Sequence, residues 1–187
     1  MSDVSEAIRV LGRGGVILYP TDTVWGVGCD ACDEAAVAAV YRLKRRADSK
    51  ALILLVADTE MLSRHIGVEV PSAVADFMAA HSGRPVTVVY PKGHGVAPNL
   101  LAEDGSVGIR LVSEGFAHEL CRSFGRPIVS TSANISGEPS ASTFGEISPE
   151  VVSAVDYVCT TGRDQAPGRP SMVVKLADDG TLTILRE

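Results

Sequence analysis

Residues 130–137, Ser-Thr-Ser-Ala-Asn-Ile-Ser-Gly, place four hydroxyls, a carboxamide and a glycine directly after the apolar run Pro127-Ile128-Val129. In open α/β sheets the carboxyl ends of strands face a crevice, so a strand that ends in hydrogen-bonding groups is suited to holding a ligand. Small hydroxyls and exposed backbone N–H groups match a ligand rich in anionic oxygens. Taken alone, the stretch reads equally well as a Ser/Asn-rich turn. Residues 19–28, Tyr-Pro-Thr-Asp-Thr-Val-Trp-Gly-Val-Gly, repeat the arrangement after the apolar run Val16-Ile17-Leu18. A basic cluster adds a third element: Arg42, Lys44, Arg45, Arg46 and Lys50 are five of the 17 Lys and Arg of a chain whose net charge is −6. Cations at a helix end are ordinarily a solvated face or a dipole effect. Their coincidence with two hydroxyl-rich strand exits favours phosphate binding.

Other chemistries lack their residues. There is no G-x-x-x-x-G-K-[ST] loop, no G-x-G-x-x-G and no G-x-S-x-G elbow, which sets aside P-loop, Rossmann and nucleophile-elbow sites. Near the hydroxyl-rich loops the carboxylates are Asp22 and Asp30, too sparse for glycosidase-type acid/base work. Cys29-Asp30-Ala31-Cys32 has C-x-x-C spacing, but Cys121 and Cys159 stand alone. A structural zinc needs a second ligand pair, so the four cysteines read as incidental reduced thiols and no metal site is expected. An acidic chain is a poor general nucleic-acid coat. ATP or another small polyanion is the economical partner. The acidic N-terminus lacks a signal peptide's basic start, and no apolar run approaches the length of a membrane span, so a cytoplasmic protein with no membrane partner is expected.

The elements that must position these groups alternate. A helix is expected from Ser2 or Asp3 to Gly14-Gly15, then a short central strand Val16–Tyr19. Asp33 caps a helix that delivers Lys44–Arg46 at its end. Ala51–Ala57 reads as a strand buried on both faces, Asp58–Ile66 and Ser72–His81 as helices, and Pro85–Tyr90 as a strand. Residues Lys92–Asp104 have no period and read as a loop. Ser106–Val112 is a strand carrying Arg110. Ser113 is expected to cap a helix with Phe116, Leu120 and Phe124 inward, stopped at Gly125. Val129 leads into the hydroxyl row, and a helical stretch is expected over Thr143–Val155. Strands Ser171–Ala177 and Leu182–Arg186 are joined by an Asp178-Asp179-Gly180 turn. The 187 residues therefore predict an α/β fold, a single-domain twisted mixed β-sheet with flanking helices over residues 1–187.

In chain order, these segments resemble the YrdC-like threonylcarbamoyl-AMP synthase family. Residues 20–28 resemble its P-T-[ED]-T-[VY]-[YFW]-G-[LV]-G signature. Lys44-Arg45-Arg46 followed by Lys50 resembles its K-x-R-x₃-K motif, and Gly83-Arg84-Pro85-Val86-Thr87 its G-P-[LV]-T entry. Residues 106–110 resemble V-[GA]-[VI]-R, residues 130–137 the family's most specific motif, and Pro170-Ser171 and Ile184-Leu185-Arg186 its closing strands. The length is similar to the short, single-domain bacterial form.

The resemblance implies a YrdC-like domain that makes L-threonylcarbamoyl-adenylate and pyrophosphate from L-threonine, bicarbonate and ATP, for modification of tRNA adenosine next to the anticodon. It implies nucleotidyltransferase chemistry, with ATP as a substrate carrying Mg2+ and no tightly bound cofactor. Carried over by position, Thr23, Arg110, Ser130 and Ser171 are expected on the threonine. Lys44, Arg46, Lys50, Ser106, Ser132, Asn134, Ser140 and Arg186 are expected on the ATP side, with Lys50, Arg46 and Ser132 nearest the chemistry. Downstream partners would be tRNA threonylcarbamoyl-transfer proteins. The alternative is an RNA- or nucleotide-binding module without synthase activity, using a basic concave surface. Three positions depart from the pattern: Ala47 and Ala51 replace common prolines, which loosens a loop, and Met172 replaces a small polar residue.

Overall fold

Local capping chemistry sets where the helices begin. In the computed structural model, which describes residues 2–45, 52–166 and 168–187, Ser2 accepts from the Ser5 amide and starts α1 (Asp3–Leu11). The Asp33 carboxylate accepts from the Ala35 and Ala36 amides at 2.9 and 3.1 Å and starts α2 (Glu34–Lys44). Asp58 does the same for α3 (Thr59–Ile66) through the Met61 amide at 2.7 Å. Each cap satisfies amides that the helix itself leaves bare. Helix α3 stops at Gly67 and α5 (Gly115–Phe124) at Gly125, both with φ above +70°, a conformation that costs glycine little. The remaining helices are α4 (Ser72–Ala80) and α6 (Pro149–Ser153).

Among the described residues nine strands form one mixed sheet: β1 (Ile17–Tyr19), β2 (Gly26–Gly28), β3 (Ile53–Val56), β4 (Val86–Tyr90), β5 (Val107–Leu111), β6 (Ile128–Ser132), β7 (Tyr157–Val158), β8 (Met172–Leu176) and β9 (Leu182–Arg186). Their spatial order is β7-β1-β2-β6-β3-β5-β4-β8-β9. Strand β3 runs parallel to β5, β4 to β8 and β1 to β7, and the other pairings are antiparallel. This is the mixed α/β sheet the sequence predicts. Leu54, Leu55, Ile128 and Val129 in the middle strands are fully buried, as expected for strands covered on both faces. Among the described residues no helix is long and apolar enough to cross a membrane.

Several expectations need correcting. Strand β1 is not central but second from an edge, because it turns back on itself as a hairpin with β2 and its other side takes only the two-residue β7. Strand β2 has no counterpart among the expected elements. Its glycines are there for close approach: a Cβ on Gly28 would lie 2.3 Å from the Val129 carbonyl oxygen and 2.7 Å from the Tyr19 ring. Strand β6 runs from Ile128 through Ser130 and Thr131 to Ser132, so the hydroxyls are part of the ladder. Helix α1 ends before Gly12 rather than at Gly14-Gly15.

Ser113 does not cap α5; Glu114 occupies the cap position and makes no side-chain cap bond. Its buried face is Ala117, Leu120 and Cys121, with Phe116 and Phe124 only half-buried. Small side chains let this helix sit close enough to β3 for the Cys121 thiol to reach the Leu55 carbonyl at 3.7 Å. The stretch Thr143–Val155 is broken into a 3₁₀ turn (Phe144–Glu146) and α6, since Pro149 holds Ser148 extended. The loop over 92–104 is pinned: Ala97 N donates to Ala31 O at 2.8 Å, Asn99 Nδ2 to Glu34 O at 3.0 Å, and Leu100 is buried.

Gly28→Ala is expected to destabilise by about 1–3 kcal/mol through overpacking. Gly83→Ala, with nothing within 4 Å of the added methyl, is expected to stay within about 0.5 kcal/mol. Urea unfolding of the two variants checks this, and equal midpoints would contradict the close approach of β2 to β6.

Candidate functional site

Register decides which side chains share a face. Arg110 on β5 lies opposite Thr87 on β4 and beside Leu55 on β3, Ile53 pairs with Ser130, and Gly26 pairs with Ser132. Directly paired residues point the same way, so Arg110, Ile53, Ser130 and Ser132 line one side of the sheet. There they floor a cleft of about 370 Å³. The structure brings seven of the predicted residues to it: Thr23, Arg110, Ser130, Ser132, Ser140, Ser171 and Arg186.

Arg110 is the centre of the site and only 2 % exposed. Its Nη1 donates to Thr23 Oγ1 at 3.1 Å and its Nη2 pairs with Asp22 Oδ1 at 2.9 Å. Its Nε is buried without a hydrogen-bond partner among the described residues. Thr21 Oγ1 donates to Val24 O at 2.6 Å and lies 2.9 Å from Thr23 Oγ1. With the Thr21 proton committed, the Thr23 hydroxyl must donate to Thr21 while accepting from Arg110. The chain therefore runs Arg110 to Thr23 to Thr21 to Val24 O, and it leaves Thr23 one free lone pair and no free proton. The sequence assigns neither Thr21 nor Asp22 to the ligand, although both lie within residues 20–28.

A strap holds this loop from outside. Gln165 Nε2 donates to Thr21 O at 3.0 Å and Gly168 N to Thr23 O at 2.8 Å. A Cβ on Gly168 would lie 2.5 Å from the carbonyl oxygens of Asp22 and Thr23, so only glycine fits. The strap then delivers Ser171, whose Oγ lies 2.9 Å from Thr87 Oγ1 and whose carbonyl accepts from Arg186 Nη2 at 2.8 Å. No sequence signal marks Gln165 or Gly168, since their part depends on where the chain folds back. The Trp25 ring is buried and packs on Phe144, with ring centroids 4.8 Å apart, so it belongs to the wall of the loop. Met172 is buried at the start of β8.

Lys44 and Asn134 are not among the residues that line the cleft, but both bond to Ser132, which is. The Lys44 ammonium, 2 % exposed, donates to Ser132 O at 2.5 Å and to Asn134 Oδ1 at 3.1 Å. Ser132 Oγ donates to the same Asn134 oxygen at 2.5 Å, and Asn134 Nδ2 donates to Glu138 O at 2.7 Å. The Ser136 amide donates to the Lys44 carbonyl at 3.0 Å. The end of α2 is thereby clamped to the hydroxyl-rich loop. Ser106 does not line the cleft; it stands at the start of β5, its amide bonded to Asp104 Oδ1 at 3.0 Å. Arg46 and Lys50, like Ala47 and Ala51, lie outside the described residues. Arg45 pairs with Glu150, and Asp30 is buried against Arg126 at 2.6 Å.

Burial raises all four thiols: Cys32 is pushed up to about 11, with the Asp30 charge adding to the effect, and Cys121 and Cys159 to about 12. Cys29 rises further still. They are protonated at neutral pH and poor nucleophiles. Among the described residues no group of three or more His, Cys, Asp or Glu is placed to hold a metal ion.

Comparison with known proteins places this geometry in context. The family model Sua5_yciO_yrdC, described as "Telomere recombination", matches residues 9–187. A protein of Stenotrophomonas maltophilia named threonylcarbamoyl-AMP synthase is 38 % identical over 156 residues, covering 83 % of this chain and 84 % of the relative. One of Hahella chejuensis with the same name is 36 % identical over 184 residues, covering 98 % and 97 %. Among solved structures, P. abyssi Sua5 superposes with a TM-score of 0.87 at 26 % identity over the whole of this chain. In its complex with L-threonine the TM-score is 0.84 at 26 % identity, over 98 % of this chain. The chain spans only 57 % and 53 % of those two Sua5 chains.

The root of the strap is tied to the N-terminus of α1. Asp3 accepts from Tyr157 Oη at 2.6 Å, from the Thr160 amide at 2.8 Å and from the Thr161 amide at 2.5 Å. Burial works to raise its pKa, but the hydrogen bonds from Thr161, Tyr157 and Thr160 outweigh it and hold the carboxyl well below the usual carboxylate range. A pKa depressed on folding contributes stability that is complete above the unfolded value of about 4 and is lost as pH falls below it. In thermal melts from pH 7 to pH 2, Asp3→Asn is expected to lower Tm at neutral pH and to flatten the acid-side loss. An unchanged slope below pH 4 would show that Asp3 is not the anchor.

Proposed function

We propose that this chain, which belongs to the Sua5/YciO/YrdC family, is a threonylcarbamoyl-AMP synthase. It joins L-threonine, bicarbonate and ATP into L-threonylcarbamoyl-adenylate, with release of pyrophosphate and water. The observation that carries this reading is a buried guanidinium with an unpartnered Nε–H, set among hydroxyls on the floor of a cleft. An unpaired buried donor costs about 1–3 kcal/mol, and a carboxylate seated on the Arg110 fork relieves it with charge-assisted bonds.

The hydrogen-bond polarity then orients the amino acid. Arg110 takes the α-carboxylate, and Thr23, which has only a lone pair to offer, accepts from the amine. Ser130 and Ser171 complete the amino-acid side. The amine adds to bicarbonate, losing water, and gives an N-carboxylate whose oxygen attacks the α-phosphorus of ATP; the bond to the β-phosphate oxygen breaks and pyrophosphate leaves. This makes the chain a nucleotidyltransferase. In-line placement and cationic stabilisation of the departing pyrophosphate supply most of the rate in such a transfer. On the ATP side we assign Ser132, Ser140 and Arg186 at the cleft, with Lys44 and Asn134 holding Ser132 in place. Arg46, Lys50 and Ser106 are assigned there from the motif. Magnesium enters with the ATP, as counter-ion of its triphosphate. The adenylate then passes to proteins that transfer the threonylcarbamoyl group to tRNA, in the cytoplasm.

Pyrophosphate release, measured with threonine and bicarbonate each omitted in turn, tests the reading. Release that needs both, with a threonylcarbamoyl-adenylate mass in the product, is expected. Release indifferent to threonine would overturn it. Arg110→Lys, which keeps the charge and loses the fork, is expected to lower kcat/KM for threonine about 10- to 100-fold, the value of one or two charged hydrogen bonds. Ser132→Ala should lower kcat with native melting behaviour; full turnover by both variants would remove the site assignment.

A further inference from the structure

Beyond the Asp22–Arg110 pair lies a second cavity, of about 470 Å³. Asp22 lines it, whereas Thr21 and Thr23 on either side of Asp22 line the cleft. The loop is thus a partition between two chambers, and the ion pair is where they touch. The walls of the second chamber carry Arg84, His81 and Glu114 over an apolar floor that includes Val86 and Leu111.

Three of these polar groups have bonding capacity that no described residue uses. Arg84 Nε is buried with no hydrogen-bond partner among the described residues. Glu114 occupies the cap position of α5 yet makes no cap bond, so its carboxylate is not engaged by the helix. His81 Nδ1 lies 2.8 Å from Phe77 O, and its ring stacks on Phe77 with centroids 4.2 Å apart. A carbonyl can only accept, so Nδ1 carries a proton, which leaves Nε2 as the ring's remaining polar atom.

The charges of the lining decide the ligand class. Asp22 is already neutralised by Arg110, which leaves one guanidinium against one carboxylate. A simple anion would meet Glu114, and a simple cation would meet Arg84. A small zwitterion satisfies both, with an apolar floor for its side chain. We propose that this chamber is a second amino-acid subsite: the α-carboxylate sits on Arg84, the ammonium on Glu114 beside the His81 ring, and the side chain on Val86 and Leu111. It goes beyond the synthase reading and rests on it only in the choice of L-threonine as probe.

The test is titration of the full chain with L-threonine, without ATP, followed by calorimetry and by amide chemical shifts. Two saturable binding events are expected. Arg110→Ala should abolish one, and Arg84→Ala should weaken the other at least tenfold, with Glu114→Gln doing the same should Arg84→Ala not fold. A single event, lost in Arg110→Ala, would overturn the subsite. So would a second event that neither Arg84→Ala nor Glu114→Gln moves. An Arg84-dependent event that persists when no Arg110-dependent one is found would support the subsite while counting against the synthase reading, so the two failures are told apart.

Discussion

A guanidinium sealed into the face of a β-sheet constrains everything around it. Taking such a charge out of water costs several kcal/mol unless partners meet it with good geometry. For Arg110 the partners are Asp22 and Thr23, both on the loop that joins β1 to β2. That loop must therefore lie over β5, although β1 and β2 sit on the far side of β6 and β3 in the sheet. The strap is the consequence: Gln165 and Gly168 hold the loop's carbonyls from above, so the loop cannot lift without uncovering the arginine. The Arg110 Nε, without a hydrogen-bond partner among the described residues, is the donor that the proposed carboxylate would take.

The second buried cation is met differently. Lys44 has carbonyl, amide and hydroxyl oxygens around it and stands at the end of a helix, where a positive charge is favoured by the aligned peptide dipoles. It brings the tail of α2 and the end of β6 together. The resemblance puts this lysine on the ATP side, and in the structure its ammonium bonds to the loop that carries Ser132 and Asn134.

Much of this was legible in the sequence because it is local. Asp33, Asp58 and Gly125 announce helix ends by chemistry acting within a few residues, and the Asp178-Asp179-Gly180 turn between β8 and β9 is equally self-contained. The two hydroxyl-rich segments and Arg110 were found because their side-chain types are unusual after apolar runs. What could not be read depended on distant packing. Strand β2 hides behind glycines that are required by Tyr19 and Val129, and glycine weakens any strand signal. The inward face of α5 is set by the nearness of β3, which favours Ala117 and Cys121 over the larger Phe116 and Phe124. Gln165, Gly168 and Asp3 carry no pattern at all; only the return of the chain gives them partners.

That return also fixes the order in which the protein can become competent. Asp3 is bonded to a residue 157 positions away, and Thr21 to one 144 positions away. Closing such long loops precedes any reward from the contacts they bring, so topologies of this kind fold slowly. During synthesis the β1–β2 loop and β5 emerge well before the strap that secures them. The nascent chain therefore carries the cleft's principal side chains without their final geometry, and the site matures only when the last quarter of the sequence has left the ribosome.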